Sequence, residues 1–318
     1  MAPLATYTSL LTFEQANKLR TLLEELDFKF SPKQYTLFFA QKDKLSLAVY
    51  QKGPKVLIQG KGVEDFVQFE LEPKILGEAK LGYEEVHSPE IFEPHFGVDE
   101  SGKGDFFGPL VIAGVYVDSG IARKLIDAGV QDSKRISSDG RIRALAEATR
   151  KTTMGLFEVV LIGPAKYNEL YEKFGNLNKL LAWGHARVIE NLLAKKPDCP
   201  RSLSDQFADA RLIEQSLLRH CRKIEIQQRP RAESDTAVAA ASILAREGFI
   251  NWLEREGKEL GVRLERGVSP AVKSTAQKLV ESKGPDVLRQ LAKVHFRTAH
   301  AVAPEHFAEP PPRVEWRR

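Results

Sequence analysis

Cysteine and methionine are almost missing from this chain, with two of each in 318 residues. Cys199 and Cys221 have no metal-ligand spacing and supply no disulfide framework, which excludes the disulfide-stapled secreted class and makes a reducing, cytoplasmic compartment the expectation. Long apolar runs are missing too. The longest reach about ten residues and are broken by glycine or charge, short of the ~20 that a membrane-spanning helix needs. The opening Met1-Ala-Pro-Leu-Ala-Thr-Tyr7 lacks the positive region and apolar core of a secretory signal. An excess of one charge is lacking as well: 47 Lys and Arg stand against 43 Asp and Glu, a net +4. Total charge therefore does not announce a nucleic-acid partner, and only its distribution can. What remains, 42% apolar and 28% charged residues, is the composition of a globular protein long enough for two domains and a substantial core.

The stretch with most chemistry in it is Val98-Asp99-Glu100-Ser101-Gly102-Lys103-Gly104-Asp105-Phe106-Phe107-Gly108-Pro109-Leu110, followed by an apolar run to Val117. A short apolar lead-in delivers two adjacent carboxylates to a glycine turn, and the chain returns through β-branched residues, which reads as a hairpin. Neighbouring strand residues point to opposite faces, so Asp99 and Glu100 share a site only if the backbone bends directly after them. Gly102 and Gly104 supply the bend and clear Cβ atoms from the path of a bulky substrate, while Lys103 offers a point charge for phosphate. Carboxylates beside a cationic glycine turn suggest metal-assisted chemistry on a phosphodiester. Three other readings compete. A dinucleotide fingerprint would need its third glycine one residue earlier and a helix, not a β-rich run, after it; a Walker loop would need Ser or Thr after Gly-Lys. The third is a solvated acidic turn.

Gly97-Val-Asp-Glu-Ser-Gly-Lys-Gly-Asp-Phe-Phe-Gly-Pro-Leu110 resembles the first signature of the type 2 ribonucleases H, and its Gly-Lys-Gly form resembles the ribonuclease HIII group. Asp132-Ser133-Lys134, Asn176-Leu-Asn178, Asp205-Gln206-Phe207 and Val238-Ala-Ala-Ala-Ser242-Ile-Leu-Ala-Arg246 continue the likeness in the same order. The resemblance implies a ribonuclease H-like α/β domain, a mixed sheet of about five strands flanked by helices, over residues 95–300. It also implies a small α+β domain similar to the TATA-box-binding protein over 1–85, a linker at 86–94 and a C-terminal tail at 301–318. The implied activity is hydrolysis of the RNA strand of an RNA/DNA hybrid with two Mg²⁺ or Mn²⁺ ions, leaving 5′-phosphate and 3′-hydroxyl ends. Single embedded ribonucleotides are the alternative substrate, and a non-catalytic nucleic-acid-binding protein is the alternative class. No protein partner is implied, and a monomer is expected.

The residues carried over as metal ligands and catalytic groups are Asp99, Glu100, Asp205 and Glu233, with Asp235 as the alternative fourth acid, better placed to cap the helix after it. Substrate contacts carried over are Ser101, Gly102, Lys103, Gly104, Ser133, Lys134, Asn176 and Asn178. An all-carboxylate set without Cys or His suits hard divalent ions.

In the N-terminal part, Thr12-Phe-Glu-Gln15 has the form of a capping box before a helix at 13–26, and three short strands follow at 35–40, 45–50 and 55–59, closed by a helical segment at 63–70. Between Phe28 and Gly62 stand seven lysines and one acid, Asp43. They make either a nucleic-acid platform or protection for exposed strand edges. Proline and glycine between Leu71 and Glu93 mark the linker region. In the second part, spacing predicts helices at 121–128, 138–150, 164–174, 178–195, 236–256, 271–283 and 285–292, and strands ending near Gly163, Phe207 and Gln228. Lys134 and Arg135 form either a phosphate clamp or a helix start. Asn178 reads as the cap of the helix that runs to Lys195, and Asn176 and Asn178 either meet the substrate or merely cap. His185, on an apolar helix stripe, reads as a hydrogen-bonded core histidine rather than a ligand.

Overall fold

A computed structural model describes residues 6–77, 89–131, 133, 136, 138–221 and 223–309. The chain divides into two compact units, Met1–Glu90 and Ile91–Arg318. Lys134, Arg135, part of the expected linker (78–88) and the end of the tail (310–318) lie outside the described residues.

The first unit runs β1 (Thr6–Leu10), α1 (Phe13–Glu25), β2 (Lys29–Ser31), β3 (Thr36–Lys42), β4 (Leu45–Tyr50), β5 (Lys55–Gly60) and α2 (Val63–Phe66). The capping box is formed: Thr12 Oγ1 accepts from Gln15 N and Gln15 Oε1 from Thr12 N. All strands are antiparallel, in the order β1-β5-β4-β3-β2. Sequence reading finds three of these strands. It misses β1 and β2 because neither alternates clearly: β2 is three residues long and β1 is mostly Thr and Ser. One face of the sheet buries Ala40, Leu47, Val49, Val56 and Ile58 against Leu19 and Leu23 of α1. Strand alternation leaves Lys29, Gln41, Ser46, Gln59 and Thr6 in one register row on the other face, and Ser31, Phe39, Ala48, Leu57 and Thr8 in the next. α2 passes into a π-helical stretch, Val67–Leu76, whose Leu71, Glu72 and Ile75 are buried. The region read as a linker from Leu71 is thus folded into the first unit as far as Leu76.

The second unit is a three-layer α/β fold. Its strands are β6 (His95–Ser101), β7 (Leu110–Val117), β8 (Phe157–Ile162), β9 (Arg201–Asp205) and β10 (Glu225–Arg229). Its helices are α3 (Ser119–Asp127), α4 (Asp139–Thr153), α5 (Pro164–Phe174), α6 (Leu177–Lys195), α7 (Arg211–Ser216), α8 (Thr236–Leu260), α9 (Pro270–Lys283), α10 (Val287–Leu291) and α11 (Arg297–Val302). The sheet order is β10-β9-β6-β7-β8. β6, β7 and β8 form an antiparallel meander, while β9 and β10 join it in parallel. β7 is buried on both faces: Val111, Ala113, Val115 and Val117 face the core under α8, and Leu110, Ile112 and Tyr116 face the core under α6. The predicted cap of α6 shifts by two residues. Asn176, not Asn178, is the N-cap, accepting from Asn178 N and Lys179 N.

α8 is buried continuously from Thr236 to Ala245, and its alanines let it lie close on β6. The closest approach is at Gly97, where a Cβ would stand 2.2 Å from both Ala237 C and Val238 N. The neighbours there are backbone and cannot yield. At Gly184 of α6 an added Cβ would meet the Cδ1 of Ile112 at 2.0 Å, the end of a flexible side chain. Gly97→Ala is therefore expected to destabilise the protein by about 3 kcal/mol or more, and Gly184→Ala by clearly less. Urea unfolding of the two variants checks this, and equal losses would contradict the packing argument.

Candidate active site

The parallel pairing of β6 with β9 runs as far as Val98 opposite Ser204, and Asp99 and Asp205 stand next in each strand, where that pairing stops. Such carboxyl ends of parallel strands are where open α/β sheets bind ligands. Asp99, Glu100, Asp205 and the turn residues Ser101 to Asp105 line one cavity of about 410 Å³, together with Ser133, Ser242, Arg246, Phe249 and Arg266.

The glycine turn has a rigid half and an open half. Gly102 has φ +92°, and a Cβ on it would meet Pro109 O at 2.3 Å and the Phe249 ring at 2.9 Å, so both conformation and packing demand glycine. Gly104 has no such constraint: its φ is not in the left-handed region, and an added Cβ would meet nothing within 4 Å. Behind the turn, Lys293 is wholly buried, and its Nζ donates to Gly108 O at 2.6 Å and Asp105 O at 3.0 Å. Lys293 N donates to Phe106 O and Gly108 N to Leu291 O, both at 2.9 Å. Asp105 Oδ1 accepts from Gly267 N at 2.6 Å, and Phe106 N donates to Gly267 O at 3.1 Å. The turn is thus held by two segments from the C-terminal third of the chain.

Glu100 is gripped at both oxygens. Lys103 Nζ donates to Oε1 at 2.6 Å and His185 Nε2 to Oε2 at 3.0 Å. Burial alone would push this carboxyl up, but the His185 and Lys103 contacts outweigh it and bring it down to about 2. Burial likewise works against the Lys103 charge, yet Glu100, Asp99 and Asp205 together hold its ammonium above the ordinary value. The three carboxylates therefore share one cation supplied by the chain.

Ser133 is buried and bonded to Ser242 at 2.7 Å between hydroxyls, and Arg246 donates to Ser133 O. Glu233 lies half-buried in the 3₁₀ turn Ala232–Ser234, beside the cavity lining rather than in it. The preceding Ala232 N donates to Asp205 Oδ1 at 3.4 Å. Asp235 is buried. Its Oδ1 accepts from Ala237 N and Val238 N at the head of α8, and both its oxygens lie 3.1 Å from His95 Nε2. Asn176 and Asn178 do not line the cavity; Asn176 is engaged as a cap.

Sequence reasoning assigned no role to Arg246, Arg266, Lys293 or the Glu100 contact of His185. For Ser242 and Arg246 a signal existed, since residues four apart share a helix face. For His185 and Lys293 none existed, because their partners are far away in sequence.

Lys293 makes the site's anchoring depend on pH. Burial pushes its amine down to about 7, with the Asp105 charge opposing only in part, against 10.5 in the unfolded chain. Its penalty for carrying charge inside the fold is fully present below about 7 and is relieved as the pH rises toward the unfolded value. Stability should therefore gain from this group between about pH 7 and pH 10, and Lys293→Met should remove that gain. Urea unfolding of both proteins across this range checks it; parallel pH profiles would contradict it.

With the geometry in hand, the comparisons agree with one another. The family model of ribonuclease HII matches residues 96–299. The ribonuclease HIII of Protochlamydia amoebophila (strain UWE25) is 42% identical over 302 residues, 95% of this chain and 98% of that protein. The ribonuclease HIII of Chlamydia pneumoniae is 42% identical over 293 residues, 91% of this chain and 95% of that protein. A crystal structure of Bst-RNase HIII in complex with Mn²⁺ superposes with a TM-score of 0.63 at 26% identity, covering 95% of this chain and 100% of that one. By full-length likeness to these relatives and by the domain match, the chain belongs to the ribonuclease HIII group of the ribonuclease HII family.

Proposed function

We propose that this protein is an endoribonuclease that hydrolyses the RNA strand of RNA/DNA hybrids with two divalent ions of the Mg²⁺ or Mn²⁺ type, leaving 5′-phosphate and 3′-hydroxyl ends. The observation that carries this reading is the meeting of Asp99, Glu100 and Asp205 in one cavity with the Gly102–Gly104 turn.

The donor set fits hard divalent ions, because it offers only carboxylate oxygen. Among the described residues no three Asp, Glu, His or Cys side chains are already gathered around one point. Instead the Lys103 ammonium sits against Glu100 and is stabilised by Asp99 and Asp205, which marks the place as one that favours positive charge. Asp99 as the bridging group, with Glu100, Asp205 and Glu233, would hold the ions. Ions held there supply an activated water and neutralise charge on the phosphate. Asp235 is the weaker choice for the fourth acid, since its oxygens serve the α8 cap and His95.

The chain's own residues do the rest. Lys103, whose side chain is 48% exposed, leaves Glu100 for a phosphate oxygen when substrate enters. His185 keeps Glu100 Oε2 aimed while Oε1 is released. Ser101 and the turn backbone at Gly102 and Gly104 meet the 2′-hydroxyl that separates RNA from DNA, and Ser133 holds the strand beside them. In the first unit, the outward rows Lys29-Gln41-Ser46-Gln59-Thr6 and Ser31-Phe39-Ala48-Leu57-Thr8 support a sheet platform for the hybrid backbone, with Lys33 lying 4.7 Å over the Phe39 ring.

Incubating an end-labelled RNA/DNA hybrid with wild type and Asp99→Asn, under Mg²⁺, Mn²⁺ and chelator, tests the reading. Metal-dependent cuts in the RNA strand, lost in the variant, are expected; intact RNA in every metal, with tight binding retained, would make the chain a binding protein instead. A duplex with one embedded ribonucleotide, run beside the hybrid, is expected to be the poorer substrate. Gly104→Ala gives an independent check. Thermal unfolding should not change, since the fold leaves that space open, whereas KM for the hybrid should rise.

A further inference from the structure

We propose that a second cavity beside the acid site is a strand-binding subsite, which takes the phosphodiester backbone of the hybrid beyond the position that is cut. This rests on the function proposed above. The cavity, about 750 Å³, lies between the second half of α8 and the segment Gly261–Arg266, with Asp139 of α4 also in its wall. Arg266 lines both this cavity and the acid-lined one, so a strand leaving the carboxylates toward Arg266 enters it directly.

The charges in its wall are sorted in favour of a polyanion. Asp139 accepts from Arg266 Nη2 at 2.5 Å, and Glu254 is paired with Arg143 Nη2 at 2.6 Å. The third acid of the wall, Glu265, has no guanidinium partner among the described residues, and one of its carboxylate oxygens is buried without a hydrogen-bond partner. Arg263 and Lys258, by contrast, are exposed and have no ion-pair partner among the described residues. Two acids are therefore spoken for by guanidinium groups, while two cations face solvent unneutralised along the same groove.

Arg266 is also fixed in relation to the cut. Its neighbour Gly267 is bonded through N and O to Asp105 and Phe106 of the glycine turn, so a movement of the turn would carry Arg266 with it. Its side chain is 42% exposed, and its contact with Asp139 leaves most of the guanidinium N–H groups unused. An exposed ion pair of this kind is worth little, whereas a phosphate accepts a guanidinium in two parallel bonds. Exchange of Asp139 for a substrate phosphate is the expected response to binding.

The test uses the full chain carrying Asp99→Asn, to prevent cutting, and follows hybrid binding by fluorescence anisotropy across a salt series. Adding Arg266→Ala, Arg263→Ala or Lys258→Ala should each weaken binding several-fold and lower the slope of log Kd against log salt by about one, as loss of a single phosphate contact does. Asp139→Asn removes the same salt bridge as Arg266→Ala but keeps the guanidinium, so it should leave the slope unchanged and binding equal or tighter. Unaltered slopes in all three basic variants would overturn the subsite, as would equal effects of Arg266→Ala and Asp139→Asn. Wild-type cleavage of the same hybrid separates the two proposals. Cut RNA with unaltered slopes removes the subsite alone, and uncut RNA with lowered slopes removes the nuclease reading while keeping a nucleic-acid groove.

Discussion

The site depends on how closely α8 lies on β6. Gly97 permits that approach, and the buried pair of Asp235 and His95 fixes its start, because Asp235 caps the helix and holds a residue of the strand at once. From that fixed point both elements run toward the same place. Two residues beyond Gly97 the strand delivers Asp99 and then Glu100. Along the helix, Ser242 reaches Ser133, Arg246 secures the same loop, and Phe249 packs under Gly102. A helix rises about 1.5 Å per residue and a strand about 3.3 Å, so elements that start together stay in step only while their contact is rigid. A side chain at position 97 would shift every one of these distances.

Placing three carboxylates in one cavity creates a charge problem that the chain solves locally. Glu100 would be costly to bury alone, and His185 and Lys103 each take one of its oxygens. The two partners are not equivalent. His185 is buried on α6, packed against the Phe207 ring, so it cannot leave. Lys103 is on the exposed tip of the turn and can. An arrangement with one permanent and one removable counter-charge keeps Glu100 ionised and oriented while leaving an oxygen to give up. The same ammonium is then available for phosphate.

Much of this was legible in the sequence, for reasons that can be named. The acids and glycines of the turn are local in sequence, and their spacing alone announces a bend with charge. Helices α4, α6, α8 and α9 carry helical spacing and side-chain caps, whereas the six-residue α7 and α11 have no such cap and are not read from the sequence. The β-branched run of β7 reads as the returning strand of a hairpin. Strands β1 and β2 were not legible because they are short and gain their stability from neighbours rather than from their own pattern. The cap at Asn176 rather than Asn178 lies within the ordinary uncertainty of helix ends. The roles of His185 and Lys293 were hidden for a different reason. His185 meets an acid 85 positions earlier, and Lys293 meets carbonyls 185 and 188 positions earlier. A single residue in an apolar pattern carries no mark of a partner at that distance.

Lys293 shows what such hidden residues contribute. Burying an amine that must shed much of its affinity for protons is unfavourable, and an apolar residue of similar volume is often the more stable choice at a buried charged position. A methionine there would still fill the space between Tyr167 and Phe249, the two rings nearest the amine, but it would leave the carbonyls of Asp105 and Gly108 without their donor. Those carbonyls belong to the turn whose other side faces the substrate cavity, where Gly104 stands in open space. The turn must be open on one side and immobile on the other, and no apolar side chain can hold carbonyl groups in place. The buried amine is therefore best understood as the fixed support of a surface that has to stay bare.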